Sequence, residues 1–377
     1  STSRTLLHRT PDGRPIPGTF ADDDELYAFA DVLGRHGRGV FESAPRFEKA
    51  GADWAGLKHE IRTLGEITRR SGRPSTFGLV YNAVRPDMSD VALAEVASEN
   101  SNGAFLRPQT TCRPIGVVLG IQHRTPWARA GATWKSMKHM DLGGRLALVR
   151  DPESRRRLVE EANSPEEIHG RGSAMIDLSR LYLLDAEDPD YRVGPEGTLE
   201  AKAARAGVTP VELFLDETDR SDGSVMLSLP ILNQDYEAIE TMLHDDSIVM
   251  GLADAGAHVG QIMDSSQPTY FLSHWVRDTG FFSLEEGVRR ITSDTADLFG
   301  LVDRGRIVEG AYADINVIDF DQLSLTGPEY VHDFPGGAGR YIQRGAGYDA
   351  TIVNGQVFME HGEHTGALAG VTLRSTD

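Results

Sequence analysis

Short apolar runs alternate with amphipathic segments of helical period along most of the chain, and that alternation limits it to βα units. Residues 22–34 (DDDELYAFADVLG) predict a helix: acidic residues crowd its first turn, where the macrodipole favours them, and a glycine stands near its end. Residues 39–43 (GVFES) predict a buried strand. Residues 54–70 place Leu57, Ile61, Leu64 and Ile67 at helical spacing on one face. The rhythm continues with a strand at 75–81 (STFGLVY), a helix at 90–100 and an extended apolar stretch within 107–121. It weakens over residues 122–150, where Trp127 and Trp134 stand among glycines and basic residues; this reads as a long loop or insertion. Helices are expected again at 151–163, 198–207, from 209 onward and at 235–243, with a strand-like run at 174–184.

After Gly305 the texture changes to short strands and turns. INVIDF predicts one strand, and GYDATIVNGQVF predicts a hairpin closed by Asn354-Gly355. The expected division is therefore 1–304 and a β-rich tail, 305–377.

A net charge of −19 disfavours nucleic acid and anionic membranes as partners, since both would be repelled. Cys112 is the only cysteine, so no intramolecular disulfide can form, and a cytoplasmic location is the default. The chain opens STSRTLLHRT without an initiator methionine, which reads as a truncated start.

The chemistry concentrates near residue 250. The apolar run SIVMGLADAGAHVG leads to an acidic residue and a histidine, and a carboxylate at the carboxyl end of a buried strand is where barrel enzymes place their catalytic groups. Asp254 stands three residues beyond the run, between Gly251 and Gly256. It is the candidate for collecting and redelivering a proton; an ordinary loop or N-cap aspartate is the alternative. His258 could bind substrate or orient Asp254, or be a polar loop residue. Arg124, Arg129, Lys135 and Lys138, with the two tryptophans, could cover an acidic substrate or form a solvated loop. No HExxH, GxSxG, P-loop or CxxC motif occurs, which disfavours zincin, α/β-hydrolase, NTPase and thiol-redox chemistry.

GLADAGAHVG, SLEEGVRRITSDTADLFGLVDRGRIVEGAYADINVIDF and TIVNGQVF together resemble the last strand and tail of the metal-dependent amidohydrolases. The specific likeness is to the N-acyl-D-amino-acid deacylase (D-aminoacylase) branch, and it extends weakly back to STSR. It implies a (β/α)8 TIM-type barrel, here lacking its first strands, followed by part of a small β-sandwich. It also implies hydrolysis of a non-peptide C–N amide bond, most simply in an N-acyl-D-amino acid, by water activated on a divalent metal, zinc by preference. Asp254 would be the general base and acid and a possible metal ligand. His258, Arg4 and Tyr81 would contact substrate.

The departures are specific. The family opens its barrel with a His-x-His pair, and none occurs here. Where D-aminoacylases end a strand in serine-histidine-methionine-arginine, this chain has Glu42 and Ser43; where the next strand ends in histidine, it has Tyr81 and Asn82. Glu42 could serve as a carboxylate metal ligand or pair with Arg46. Another amidohydrolase reaction, on a cyclic amide or N-carbamoyl substrate, and a catalytically inactive homologue are the alternatives. The expected partner is a small molecule, with self-association possible.

Overall fold

The computed structural model describes residues 1–47, 53–164, 178–185, 187–251, 256–262 and 264–373. Five parallel strands form its central sheet: β1 (Thr2–Ser3), β2 (Phe41–Ala44), β3 (Ser75–Gly78), β4 (Leu106–Thr110) and β8 (Val249–Met250), in that spatial order. Among the described residues the sheet is open, with edges at β1 and β8.

Helices α1 (Asp23–His36), α2 (Ala55–Ser71), α3 (Met88–Ser101) and α9 (Tyr236–His244) connect these strands. The local signals for α1 hold. Asp22 caps it by accepting the Glu25 amide at 2.9 Å, and Gly37 ends it in the left-handed region, φ 64°. Leu57, Ile61 and Ile67 of α2 are wholly buried, each stabilising the fold by about 1.5–3 kcal/mol. They pack with Phe41, Phe77 and Leu106 of the sheet and with Met242 of α9. Because side chains alternate along a strand, Glu42, Thr76 and Arg107, in register on β2, β3 and β4, occupy the opposite face.

The stretch 107–121 is not one strand. Pro114 lacks an N–H for a ladder, and the chain turns there into β5 (Ile115–Gly120). β5 pairs antiparallel with β7 (Met226–Leu232), whose other edge carries β6 (Tyr182–Leu184). Around this second sheet pack α4 (Ala132–Ser136), α5 (Leu142–Arg150), α6 (Pro152–Ala162), α7 (Leu199–Ala206) and α8 (Pro210–Arg220). The expected long loop at 122–150 is therefore largely helical. Its tryptophans are core: Trp134 is 2% exposed and donates Nε1–H to the Leu158 carbonyl at 2.9 Å, and Trp127 packs between it and Phe214. Burying both rings draws the backbone inward, which a solvated loop over substrate would not do.

After β8, α10 (Gln267–Tyr270) runs into a π-helical turn at Phe271–Asp278, followed by α11 (Leu284–Ile291) and α12 (Ser293–Phe299). Ser283 caps α11 by accepting the Glu286 amide at 3.2 Å. The tail holds a four-stranded antiparallel sheet of β9 (Ile315–Ile318), β14 (Tyr348–Val353), β15 (Gln356–Glu360) and β16 (Glu363–His364). Two small ladders flank it: β10 (Ser324–Leu325) with β13 (Gly345–Ala346), and β11 (Glu329–Val331) with β12 (Arg340–Ile342). Asn354 and Gly355 both take positive φ, 48° and 79°, as the tight hairpin between β14 and β15 requires. Leu323 and Tyr341 bury against Phe271 and Trp275, and Arg277 donates to the Leu323 carbonyl at 2.6 Å, so tail and π-helical turn share one core. Among the described residues no helix is long and apolar enough to cross a membrane.

Candidate functional site

The carboxyl ends of β3 and β4 converge on one buried side chain. Asn233, directly after β7, is wholly buried with φ 53°. Its Oδ1 accepts the Tyr81 amide at 2.6 Å, and its own amide donates to the Tyr81 carbonyl at 2.9 Å. Its Nδ2 donates to Thr111 Oγ1 at 2.7 Å and to Thr110 Oγ1 at 3.2 Å. One asparagine thus fastens β3 and β4 to the point where the second sheet rejoins the first, and its left-handed backbone suits an asparagine better than most residues. Asn233→Ala is expected to strand the Tyr81 amide, while the Thr111 hydroxyl keeps its bond to the Arg113 carbonyl, and to cost about 1–3 kcal/mol, the range for one unmet buried group. Urea denaturation checks this; a loss below about 1 kcal/mol would show that water replaces the amide.

Tyr81 is partly exposed at this rim. Burial first, and the Asp235 carboxylate second, hold its hydroxyl above the ordinary range, so it stays a neutral donor at physiological pH. On the neighbouring strand, the Gly251 amide donates to the Thr110 carbonyl at 3.0 Å. A Cβ on Gly251 would lie 2.5 Å from Oε1 of Gln109, whose Nε2 donates to Thr76 Oγ1 at 2.8 Å.

The other candidates fall in different places. Asp254 lies outside the described residues. His258 is exposed in a turn with φ 51°, its carbonyl accepting the amides of Gln261 at 2.7 Å and Ile262 at 3.0 Å. Two elements hold that turn: the Val118 amide of β5 donates to the Gln261 carbonyl at 2.6 Å, and the Tyr341 amide of β12 donates to the Val259 carbonyl at 2.9 Å. His123 lies against Gly260, stacks on Tyr330 and bonds its hydroxyl through Nδ1 at 2.9 Å. Burial, reinforced by Arg145, Arg124 and His332, lowers the His123 pKa and keeps the ring neutral at physiological pH.

Arg4 is 3% exposed, and its guanidinium is shared between Glu60 Oε1, at 2.8 Å from Nη2, and the Ala21 carbonyl, at 2.8 Å from Nη1. As placed, it ties the end of β1 to α2. Glu42 is exposed on the face of β2 opposite Phe41, two residues short of the strand's end. Arg46, the cation expected beside it, turns instead to Glu60 at 3.4 Å. Among the described residues no three histidine, cysteine, aspartate or glutamate side chains come together as a metal-binding group. The described donors therefore do not fit a metal centre.

Sequence reasoning missed Asn233 and a buried ion pair, Arg113 with Asp264. Both charged residues are 2% exposed, and Arg113 Nη1 lies 2.9 Å from Asp264 Oδ1. No local pattern marks residues 151 positions apart as partners. A polar residue closing an apolar run, as in the ILN of β7, was the available sign for Asn233.

Comparison with known proteins agrees with the architecture. Residues 197–359 match the model of the amidohydrolase family. An uncharacterized protein of Mycobacterium tuberculosis is 29% identical over 162 residues, 41% of this chain and 26% of that protein. D-aminoacylase of Alcaligenes xylosoxydans xylosoxydans is 34% identical over 105 residues, 28% of this chain and 20% of that protein. Solved structures of D-aminoacylase superpose with TM-scores of 0.52 and 0.51 at 19% identity, covering 94% of this chain and 60% of theirs; one addresses that enzyme's binuclear metal center. The chain thus spans about a quarter or less of these sequence relatives and 60% of the solved chains. Sequence and fold likeness coincide: the chain resembles the amidohydrolase family over residues 197–359, and its fold is similar to that of D-aminoacylase.

Proposed function

We propose that the protein hydrolyses a C–N amide bond in a small molecule, most simply an N-acyl-D-amino acid, with Asp254 carrying the proton. The observation that carries this reading is the placement of β8. Gly251 ends it at the rim formed by β3, β4 and Asn233, and the chain enters GLADAGAH there, inside the segment that matches the amidohydrolase family. At such a rim a carboxylate can take a proton from attacking water and return it to the departing nitrogen, one group serving both halves of the reaction. Tyr81 lies at this rim and suits the carboxylate or acyl group of the substrate, and His258, in the turn that follows β8, is the second proposed substrate contact.

The same reading makes residues 1–304 part of a (β/α)8 barrel and 305–377 part of a small β-sandwich. Five parallel strands in one sheet, with helices covering one face, support the first; the antiparallel tail sheet supports the second. D-aminoacylase has a metal center, whereas the donors described in this chain form none, so no step is routed through a metal. A cytoplasmic setting is consistent with the single, buried cysteine.

The test is a panel of N-acyl-D-amino acids, their L-enantiomers and cyclic amides, assayed with the intact protein alongside metal analysis by mass spectrometry. Turnover confined to the D-acyl series is expected. Turnover of cyclic amides alone would replace the substrate class. No turnover and no bound metal would favour a non-catalytic homologue, the reading to which Glu42, Ser43, Tyr81 and Asn82 at the strand ends lend weight.

A further inference from the structure

The segment joining β8 to α10 is held at both ends by three residues of one short stretch, Thr110, Cys112 and Arg113. At its start the Gly251 amide donates to the Thr110 carbonyl at 3.0 Å. At its end Arg113 grips Asp264 at 2.9 Å through Nη1 and Ser266 Oγ at 2.9 Å through Nη2, and the Cys112 amide donates to Gln267 Oε1 at 3.0 Å. Both anchors therefore hang from the end of β4.

Arg113 is itself locked from two further directions. Its guanidinium carbon lies 3.9 Å from the centre of the Tyr191 ring. Ser266 passes a hydrogen bond to Gln343 at 2.6 Å, and Gln343 donates to the Tyr191 hydroxyl at 2.7 Å and the Thr326 carbonyl at 2.7 Å. Arg113 thus links the post-β8 segment to Tyr191 directly and, through Ser266 and Gln343, to the tail. A flat fork that serves two residues while stacking on a ring is a shape lysine does not have.

A buried ion pair is commonly no more stabilising than well-packed apolar residues of the same volume, and its best-attested use is to specify one arrangement over others. Here the arrangement specified is where the post-β8 segment ends. We propose that Arg113 is a positioning residue: by holding Asp264 and Ser266 as Thr110 holds Gly251, it fixes the two ends between which the His258 turn is carried. Its kinetic consequence rests on the hydrolase reading; its structural consequence does not.

The experiment compares the intact protein with Arg113→Lys and with the double variant Arg113→Met, Asp264→Leu, which removes both buried charges together. Backbone hydrogen exchange at Gln261 and Ile262, whose amides close the His258 turn, is read without substrate. At least tenfold faster exchange is expected in both variants, and slower hydrolysis through a kcat at least tenfold lower, while the double variant keeps a denaturation midpoint close to the parent's. A folded double variant with unchanged exchange at those amides overturns the proposal. So does collapse of both variants, which would make the pair structural only. Faster exchange in a protein whose parent hydrolyses no amide would leave the anchor standing and remove the hydrolase reading alone.

Discussion

Asp254→Asn is expected to lower kcat for whichever amide the intact protein hydrolyses by about 10²–10⁴-fold, the range a positioned general acid–base contributes. Asparagine has the size of aspartate and donates and accepts hydrogen bonds, but it cannot take a proton from water at neutral pH. Because the change leaves volume nearly unaltered, KM and the thermal midpoint should move little. Steady-state kinetics beside circular dichroism separates the two effects. A loss under tenfold with the fold intact would remove Asp254 from the chemistry and leave it a loop residue.

The second large effect is on stability. Arg113→Met alone takes the guanidinium partner away from Asp264 at 2% exposure, and breaking such a pair from one side costs about 3–5 kcal/mol. It also removes the donor to Ser266 and the cation stacked on Tyr191. Adding Asp264→Leu should restore most of the loss, because the buried charge then disappears. A double-mutant cycle in guanidinium chloride measures this; equal stability of the single and double variants would mean that Asp264 finds water or another donor.

Features governed by near neighbours could be read from the sequence. The cap and acidic first turn of α1, the spacing of Leu57, Ile61, Leu64 and Ile67, the Ser283 cap and the Asn354-Gly355 hairpin each involve residues within a few positions of one another. The break between β4 and β5 was harder, because an apolar run looks the same whether it serves one strand or two in different sheets. The helices within 122–150 were hidden by glycine and basic residues that lower helical pattern without forbidding it. Their burial depends on Phe214 and Leu158, far along the chain. At the candidate site, Asp254 and His258 stood out through their place after an apolar run. Arg113 did not, since an arginine in a loop is by default solvated, and its acidic partner is 151 residues away. Glu42 was legible as a carboxylate on a strand but not as one left without the cation beside it.

The route by which the chain leaves and rejoins the parallel sheet has an evolutionary consequence. It departs after Thr111 and returns at Asn233, and those two residues are hydrogen-bonded at 2.7 Å. Among the described residues between them, the second sheet and helices α4–α8 thus start and finish at one closed neck, with Val118 and Tyr191 as further points of attachment. Lengthening what hangs from such a neck costs little, since the entropy of closure grows only with the logarithm of its length. Descendants of this architecture can therefore exchange or enlarge that module, and with it the surroundings of the rim, while β4 and β8 stay in register.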